Sequence, residues 1–229
     1  MYSEIKHIFF DLDDTLWDFE KNSSYILKQL YAEYSLNEKL KVSYDEFYKY
    51  YKQLNLDFWS RYNKGIIDKQ YLRNNRFHEA FKNFNYDNYN ENLLITEQYI
   101  SRAPHGKHLK EGCIEVLNYL QKNYQLHIIT NGFKEIQHIK IDNCGLRNYF
   151  QNIIISEEHQ VNKPNKKIFE LSEKQAGALP KESVMIGDNY ESDIEGAINA
   201  GWKAIHMNHS LPQIHHQQIN SLQELKQLF

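Results

Sequence analysis

The sequence predicts an α/β fold, a doubly wound parallel sheet interrupted by an inserted helical domain. Three observations predict it. From residue 107 onward, short apolar runs alternate with amphipathic ones. Between residues 17 and 105 no run reads as a strand, and apolar residues recur at helical spacing. Gly145, Gly177 and Gly201 close three of the amphipathic runs, where a helix C-terminal glycine belongs.

The elements follow in order. Residues 5–11 (IKHIFFD) form a first strand, apolar enough to be buried on both faces. The insert carries helical patterns at 24–34, 43–62, 68–84 and 91–102, and Pro104 and Gly106 mark its return. Strands are then expected at 126–130 (LHIIT), 152–156 (NIIIS), 183–187 (SVMIG) and 203–207 (KAIHM). Helices are expected at 111–122, 134–143, 165–176 and 190–200. The alternation describes a Rossmann-like sheet with helices on both faces, whose ligands sit beyond the C-terminal strand ends. A core of 1–16 and 106–229 is therefore expected, with 17–105 as a helical domain.

Bulk properties narrow the function. A formal charge of −3 over 229 residues gives no broad basic surface for a nucleic acid polymer. No apolar run approaches membrane-spanning length, and MYSEIKHIFF lacks the pattern of a secretory leader. Two cysteines, Cys113 and Cys144, make no disulfide framework, so a cytoplasmic location is expected. Eleven histidines show no zinc-site spacing; His215 and His216 are adjacent, so their side chains diverge.

The first strand runs straight into DLDDT (11–15), a concentration of carboxylates that repel one another and are costly to desolvate. A parallel sheet would gather further polar clusters at the same edge. These are Thr130, Asn131 and Gly132 after the second strand, Lys163 after the third, and Asp188 and Asp193 after the fourth. Hard carboxylate oxygens suit Mg²⁺, and Asp11 and Asp188 can share one ion. Lys163 supplies a second positive charge. Thr130 and the backbone N–H groups of Asn131 and Gly132 suit phosphate oxygens. A carboxylate facing a clamped phosphoryl group is a nucleophile, and a second acid two residues on can move the protons.

DLDDT, TNG (130–132), Lys163-Pro164 and GDNYESD (187–193) together resemble the four motifs of the haloacid dehalogenase (HAD) superfamily, in order and across the whole core. The resemblance implies that Asp11 is the nucleophile and a metal ligand. It implies that Asp13 is the general acid/base and reaches the metal through its backbone carbonyl, and that Thr15 supports the loop. Thr130, Asn131, Gly132 and Lys163 would bind phosphate, with Lys163 also balancing charge. Asp188 would be a metal ligand, and Asp193 a second acid behind the metal or joined to it through water. Asp14 has no assigned role. True dehalogenases lack the acid that stands here as Asp13, so its presence favours phosphoryl transfer.

The insert resembles the helical cap of the first HAD subfamily, which reads the leaving group. The stretches DLDDTLWDF, FWSRYNKGIIDKQYLRNNRF, ITNGF and ESDIEGAINAG resemble the YjjG-like branch of pyrimidine 5′-nucleotidases. That resemblance implies a Mg²⁺-dependent 5′-nucleotidase acting on pyrimidine or noncanonical nucleoside monophosphates. Trp17, Phe19, Phe58, Trp59 and Tyr62 are candidate base-stacking surfaces, although Trp59 and Tyr62 fit the interior of the helical bundle better. Arg61, Arg73 and Arg76 fit polar partners or a solvated face. The expected partner is a small phosphate ester; monomer and homodimer both remain open. The competing readings are a phosphatase or phosphomutase on another small phosphate, such as a sugar phosphate or phosphoglycolate, and a catalytically silent binding protein.

Overall fold

The structure is a computed structural model that describes residues 2–207 and 217–229. His215 and His216 lie outside the described residues. The chain divides into two compact units, Met1–Phe19 with Lys107–Phe229, and Glu20–Gly106.

In chain order the first elements are β1 (His7–Phe10), α1 (Phe19–Glu33), α2 (Leu36–Leu40), α3 (Tyr44–Asn63), α4 (Lys69–Lys82) and α5 (Tyr89–Arg102). They are followed by α6 (Cys113–Leu120), β2 (Gln125–Thr130), α7 (Lys134–Asn143), β3 (Asn152–Ile155), α8 (Ser156–His159) and α9 (Lys166–Ala176). The chain ends with β4 (Ser183–Gly187), α10 (Gly196–Asn199), β5 (Lys203–Met207), β6 (Gln217–Ile219) and α11 (Leu225–Leu228).

The six strands form one parallel sheet in the order β3-β2-β1-β4-β5-β6. This is the α/β architecture the alternating runs predict. Successive residues of each strand feed opposite faces, as the period of two requires. Ile8, Phe10, Ile128 and Ile186 pack with α6, α7 and α11 on one face. Phe9, Ile129, Ile154 and Met185 pack with α9, α10 and Trp202 on the other. Register aligns Phe10, the last residue of β1, with Ile128 and Ile186, so β2 runs on to Thr130 and β4 to Gly187 past the end of β1. Burial of the Cys113 side chain pushes its thiol up to about 12, which keeps it an inert packing residue.

Four elements differ from expectation. The expected strand at 5–11 is shorter at His7–Phe10, although Lys6 and Asp11 still donate ladder-like N–H bonds to Glu182 and Ile186 at 2.9 Å each. The strand β6 escapes sequence reading because it is a three-residue edge strand, QQI, with only Ile219 buried. The helix expected from 24 begins at Phe19. The helix expected at 190–200 opens as a π-helical turn, Tyr190–Glu195, before α10. There the Asn189 side chain accepts the Ser192 N–H at 3.0 Å, and the Asp193 carboxylate accepts the Asn189 N–H at 3.1 Å. Both bonds cap the start of the turn, satisfying N–H groups that have no partner within the helix.

The second unit is a helical bundle around Phe47, Tyr51, Phe77, Phe81 and Tyr99. Ser43, Asp68 and Asn88 cap α3, α4 and α5, accepting the N–H of Glu46, Tyr71 and Glu91 at 3.2, 2.7 and 3.2 Å. Among the described residues, no helix is long and apolar enough to cross a membrane.

Candidate active site

Asp11 follows β1, Thr130 ends β2 and Asp188 follows β4, so the parallel strands bring all three to the same edge of the sheet. Lys163 enters from the loop between α8 and α9, and Asp193 from the π-helical turn. The Lys163 side chain is 1% exposed. Its ammonium donates to Asp11 Oδ1 at 2.7 Å and to the Ile129 carbonyl at 2.8 Å, and it pairs with Asp193 Oδ1 at 2.7 Å. Three donors meet three acceptors, which satisfies a buried ammonium. Asp193 is held in turn by Ser192 Oγ at 2.9 Å. Gly187 leaves room for it: a Cβ there would lie 2.2 Å from Asp193 Oδ2.

Asp11, Asp188 and Asp193 each present an oxygen within 4.8 Å of the others. Burial, reinforced by the Asp193 and Asp13 charges, raises the Asp11 carboxyl to about 7 even against Lys163. Burial and the charges of Asp11 and Asp193 raise Asp188 well above the carboxylate range. Burial alone would lower Lys163, but the paired carboxylates outweigh it and hold the ammonium above its ordinary value. Three crowded acids thus share one ammonium, and the remaining negative charge fits a divalent cation. An all-oxygen donor set suits Mg²⁺. Thr15 Oγ1 donates to Asp188 Oδ1 at 3.4 Å, and the Asp188 carbonyl accepts from His206 Nε2 at 2.9 Å.

The Asp13 side chain lies outside this trio. Its Oδ1 accepts Lys140 Nζ at 2.6 Å and its Oδ2 accepts Gln137 Nε2 at 2.8 Å. Gln137 Nε2 also donates to Thr130 Oγ1 at 2.8 Å, and so does the Gly132 N–H at 3.1 Å. Asn131 contributes through its side chain as well. It accepts Ser156 Oγ at 2.7 Å and the Lys163 N–H at 2.9 Å, and returns its amide to the Lys163 carbonyl at 2.9 Å. That double bond pins the loop carrying Lys163. Asp14 sits at φ 59 and pairs with Lys110 at 2.7 Å.

Gln137 and Lys140 are the site residues that sequence reasoning misses. KEIQHIKIDN reads as an amphipathic helix, and nothing in its pattern singles out Gln137 or Lys140. The structure buries both, together with Ile141, and leaves Ile136 and Ile139 half-buried. Trp17 is 1% exposed, packs against Phe19 with ring centroids 6.1 Å apart, and carries the Lys140 ammonium 4.3 Å from its ring centroid. In the helical unit, Trp59 and Tyr62 meet edge to face at 5.7 Å. Phe58 is buried and stacks on Tyr71 at 6.2 Å, with the Arg61 guanidinium 5.5 Å from the Phe58 centroid. Arg73 is half-buried. Arg76 is 5% exposed, donates to Asn55 Oδ1 at 2.8 Å and lies over Tyr51, Phe77 and Tyr99. It has no carboxylate partner among the described residues.

Fold and site define a class: parallel α/β proteins that gather a carboxylate cluster and a buried lysine at the C-terminal strand ends. The family model of haloacid dehalogenase-like hydrolases matches residues 5–201, and the chain belongs to that family. It is 34% identical to the pyrimidine 5′-nucleotidase YjjG of Escherichia coli (strain K12), over 96% of each chain. It is 29% identical to the N-acylneuraminate-9-phosphatase of Homo sapiens, over 99% of this chain and 94% of that one. Among solved structures it is similar to the HAD-hydrolase YfnB of Bacillus subtilis bound to magnesium. There the TM-score is 0.89 and the identity 25%, over 98% of each chain.

Proposed function

We propose that this protein is a Mg²⁺-dependent phosphomonoesterase whose nucleophile is Asp11 and whose substrate is a pyrimidine nucleoside 5′-monophosphate. The observation that carries the chemistry is the Lys163 bridge between Asp11 and Asp193, with a second acid, Asp13, two residues from the nucleophile. An Asp11 oxygen attacks phosphorus in line, and the P–O bond to the leaving alkoxide breaks as Asp13 gives it a proton. Asp13 then takes a proton from water, whose oxygen attacks the phosphoaspartate, releasing phosphate and restoring Asp11. Lys163 keeps Asp11 charged and placed between turnovers. Thr130 holds a phosphoryl oxygen, with the backbone around Asn131 and Gly132. Asp11, Asp188 and the Asp13 carbonyl would hold Mg²⁺, with Asp193 behind them; the ion supplies charge neutralisation and orients the phosphoryl group.

One feature supports the substrate: the near full-length likeness to a pyrimidine 5′-nucleotidase. The likeness to an N-acylneuraminate-9-phosphatase makes an acidic sugar phosphate the second reading.

The test is phosphate release from dUMP, dTMP, UMP, N-acylneuraminate 9-phosphate, hexose phosphates and phosphoglycolate, with and without Mg²⁺. Fastest release from the pyrimidine nucleotides, abolished by EDTA and restored by Mg²⁺, is the expected result. A faster acidic or neutral sugar phosphate would replace the substrate and leave the chemistry. Full activity in EDTA would overturn the metal assignment, and release from none of them the whole reading.

A further inference from the structure

We propose that Gln137 and Lys140 of α7 are positioning residues that clamp Asp13, and that the hydrolytic half of the reaction depends on that clamp. The inference rests on the phosphoaspartate reading above. Lys140 is 4% exposed and Gln137 fully buried, on a helix face where apolar residues would pack at no electrostatic cost. A buried ammonium and a buried amide are expensive unless satisfied. Among the described residues, the one carboxylate that meets Lys140 is Asp13, at 2.6 Å. The spacing i, i+3 on one helix puts both donors on the same side. Each oxygen of Asp13 therefore has its own donor on α7, and the carboxylate is fixed in rotation.

Neighbours maintain the arrangement. The Trp17 ring lies 4.3 Å from the Lys140 ammonium and restricts where it can go. Residue 132 must be glycine for Gln137 to reach its partners, since a Cβ there would fall 1.7 Å from Gln137 Nε2. Because Gln137 Nε2 serves Asp13 and Thr130 together, the acid/base and the phosphate-holding hydroxyl are tied to one amide. Thr130 Oγ1 accepts from Gln137 and from the Gly132 N–H, so its own hydrogen is directed to a third acceptor. In the reaction that acceptor is a phosphoryl oxygen.

An aryl phosphate separates the two half-reactions. The leaving group of p-nitrophenyl phosphate departs without a proton from Asp13, so its burst reads formation of the phosphoaspartate. Steady-state turnover then reads the attack of water, which needs Asp13 in place. Stopped-flow release with saturating Mg²⁺ is compared for wild type, Lys140→Met and Lys140→Arg. Lys140→Met should retain a burst of about one p-nitrophenolate per site, while its steady-state kcat falls on the order of 10- to 100-fold. Lys140→Arg should recover much of that loss. Gln137→Met, a second variant on the other oxygen, should lower kcat and also raise KM, because Thr130 loses its orientation. Steady-state rates within twofold of wild type in Lys140→Met and Gln137→Met would overturn the clamp. So would an equal fall of burst and steady state in both variants, which is the signature of general structural damage. Wild type that releases neither p-nitrophenolate nor phosphate would overturn the underlying phosphatase reading, and the clamp with it.

Discussion

β1 carries a buried ionisable group at its start and meets another just past its end, and burial disfavours the charged form of both. At the start, His7 donates or accepts through Nδ1 to His127 Nε2 at 3.2 Å, and Asn152 Nδ2 meets His127 Nδ1 at 3.0 Å. Asn152 donating to Nδ1 leaves the Nε2–H of His127 to donate to His7, so one tautomer satisfies the chain without any charge. Burial, with His7 beside it, lowers His127 to about 3; burial lowers His7 as well. Past the other end, burial raises Asp11 to about 7, yet Lys163 stands 2.7 Å away as its counter-charge. One polar cluster is quiet because neutralisation is complete. The other retains charges the fold would be easier without, and it retains them where the strand ends converge.

The largest effects should come from unbalancing the charged end. Lys163→Met removes the ammonium and leaves Asp11 and Asp193 facing each other. Phosphate release should fall to the blank level, and the thermal midpoint should drop, since breaking a buried pair costs about 3–5 kcal/mol. Asp11→Asn should be equally inactive but fold as stably as wild type or more so, because it removes repulsion. Parallel activity and calorimetry on the two variants checks this. Equal loss of stability in both would mean that the acids, and not their compensation, hold the site together.

The neutral end should give a smaller and purely structural effect. In the unfolded chain His127 binds a proton below its ordinary value of 6.5; in the fold it does so only near 3. Stability is therefore fully present above about 6.5 and is lost as pH falls toward about 3. Urea denaturation midpoints across that window should decline in wild type and decline less steeply in His127→Gln. Identical slopes would remove His127 from the acid sensitivity, and a change in phosphate release would mean that the two ends are coupled.

The contrast also explains what was legible in the sequence. The sheet could be read because its inner strands are continuous apolar runs, and both faces of Ile8, Phe9 and Phe10 are covered. The strand β6 could not, because two glutamines on an edge look like a loop. Asp11, Lys163, Asp188 and Asp193 could be picked out because charged residues follow apolar strands, and a parallel sheet brings such positions together. The clamp on Asp13 could not. Polar residues of an amphipathic helix ordinarily face solvent, and only the tertiary placement of Asp13 makes burying Gln137 and Lys140 favourable. Arg76 lay between two readings for a related reason: local spacing does not reveal that its helix turns it onto Tyr51, Phe77 and Tyr99.

The central claim is that Asp11 carries the phosphoryl group, and the most direct test is to find it there. Enzyme turning over a nucleotide with Mg²⁺ is quenched in acid, digested, and the peptide containing residues 8–16 is analysed by mass spectrometry. The account predicts a single added phosphoryl group on Asp11 during turnover, absent in Asp11→Asn and absent when EDTA precedes substrate. Steady turnover with Asp11 unlabelled at every quench time, or a phosphoryl group found on another side chain, would contradict it.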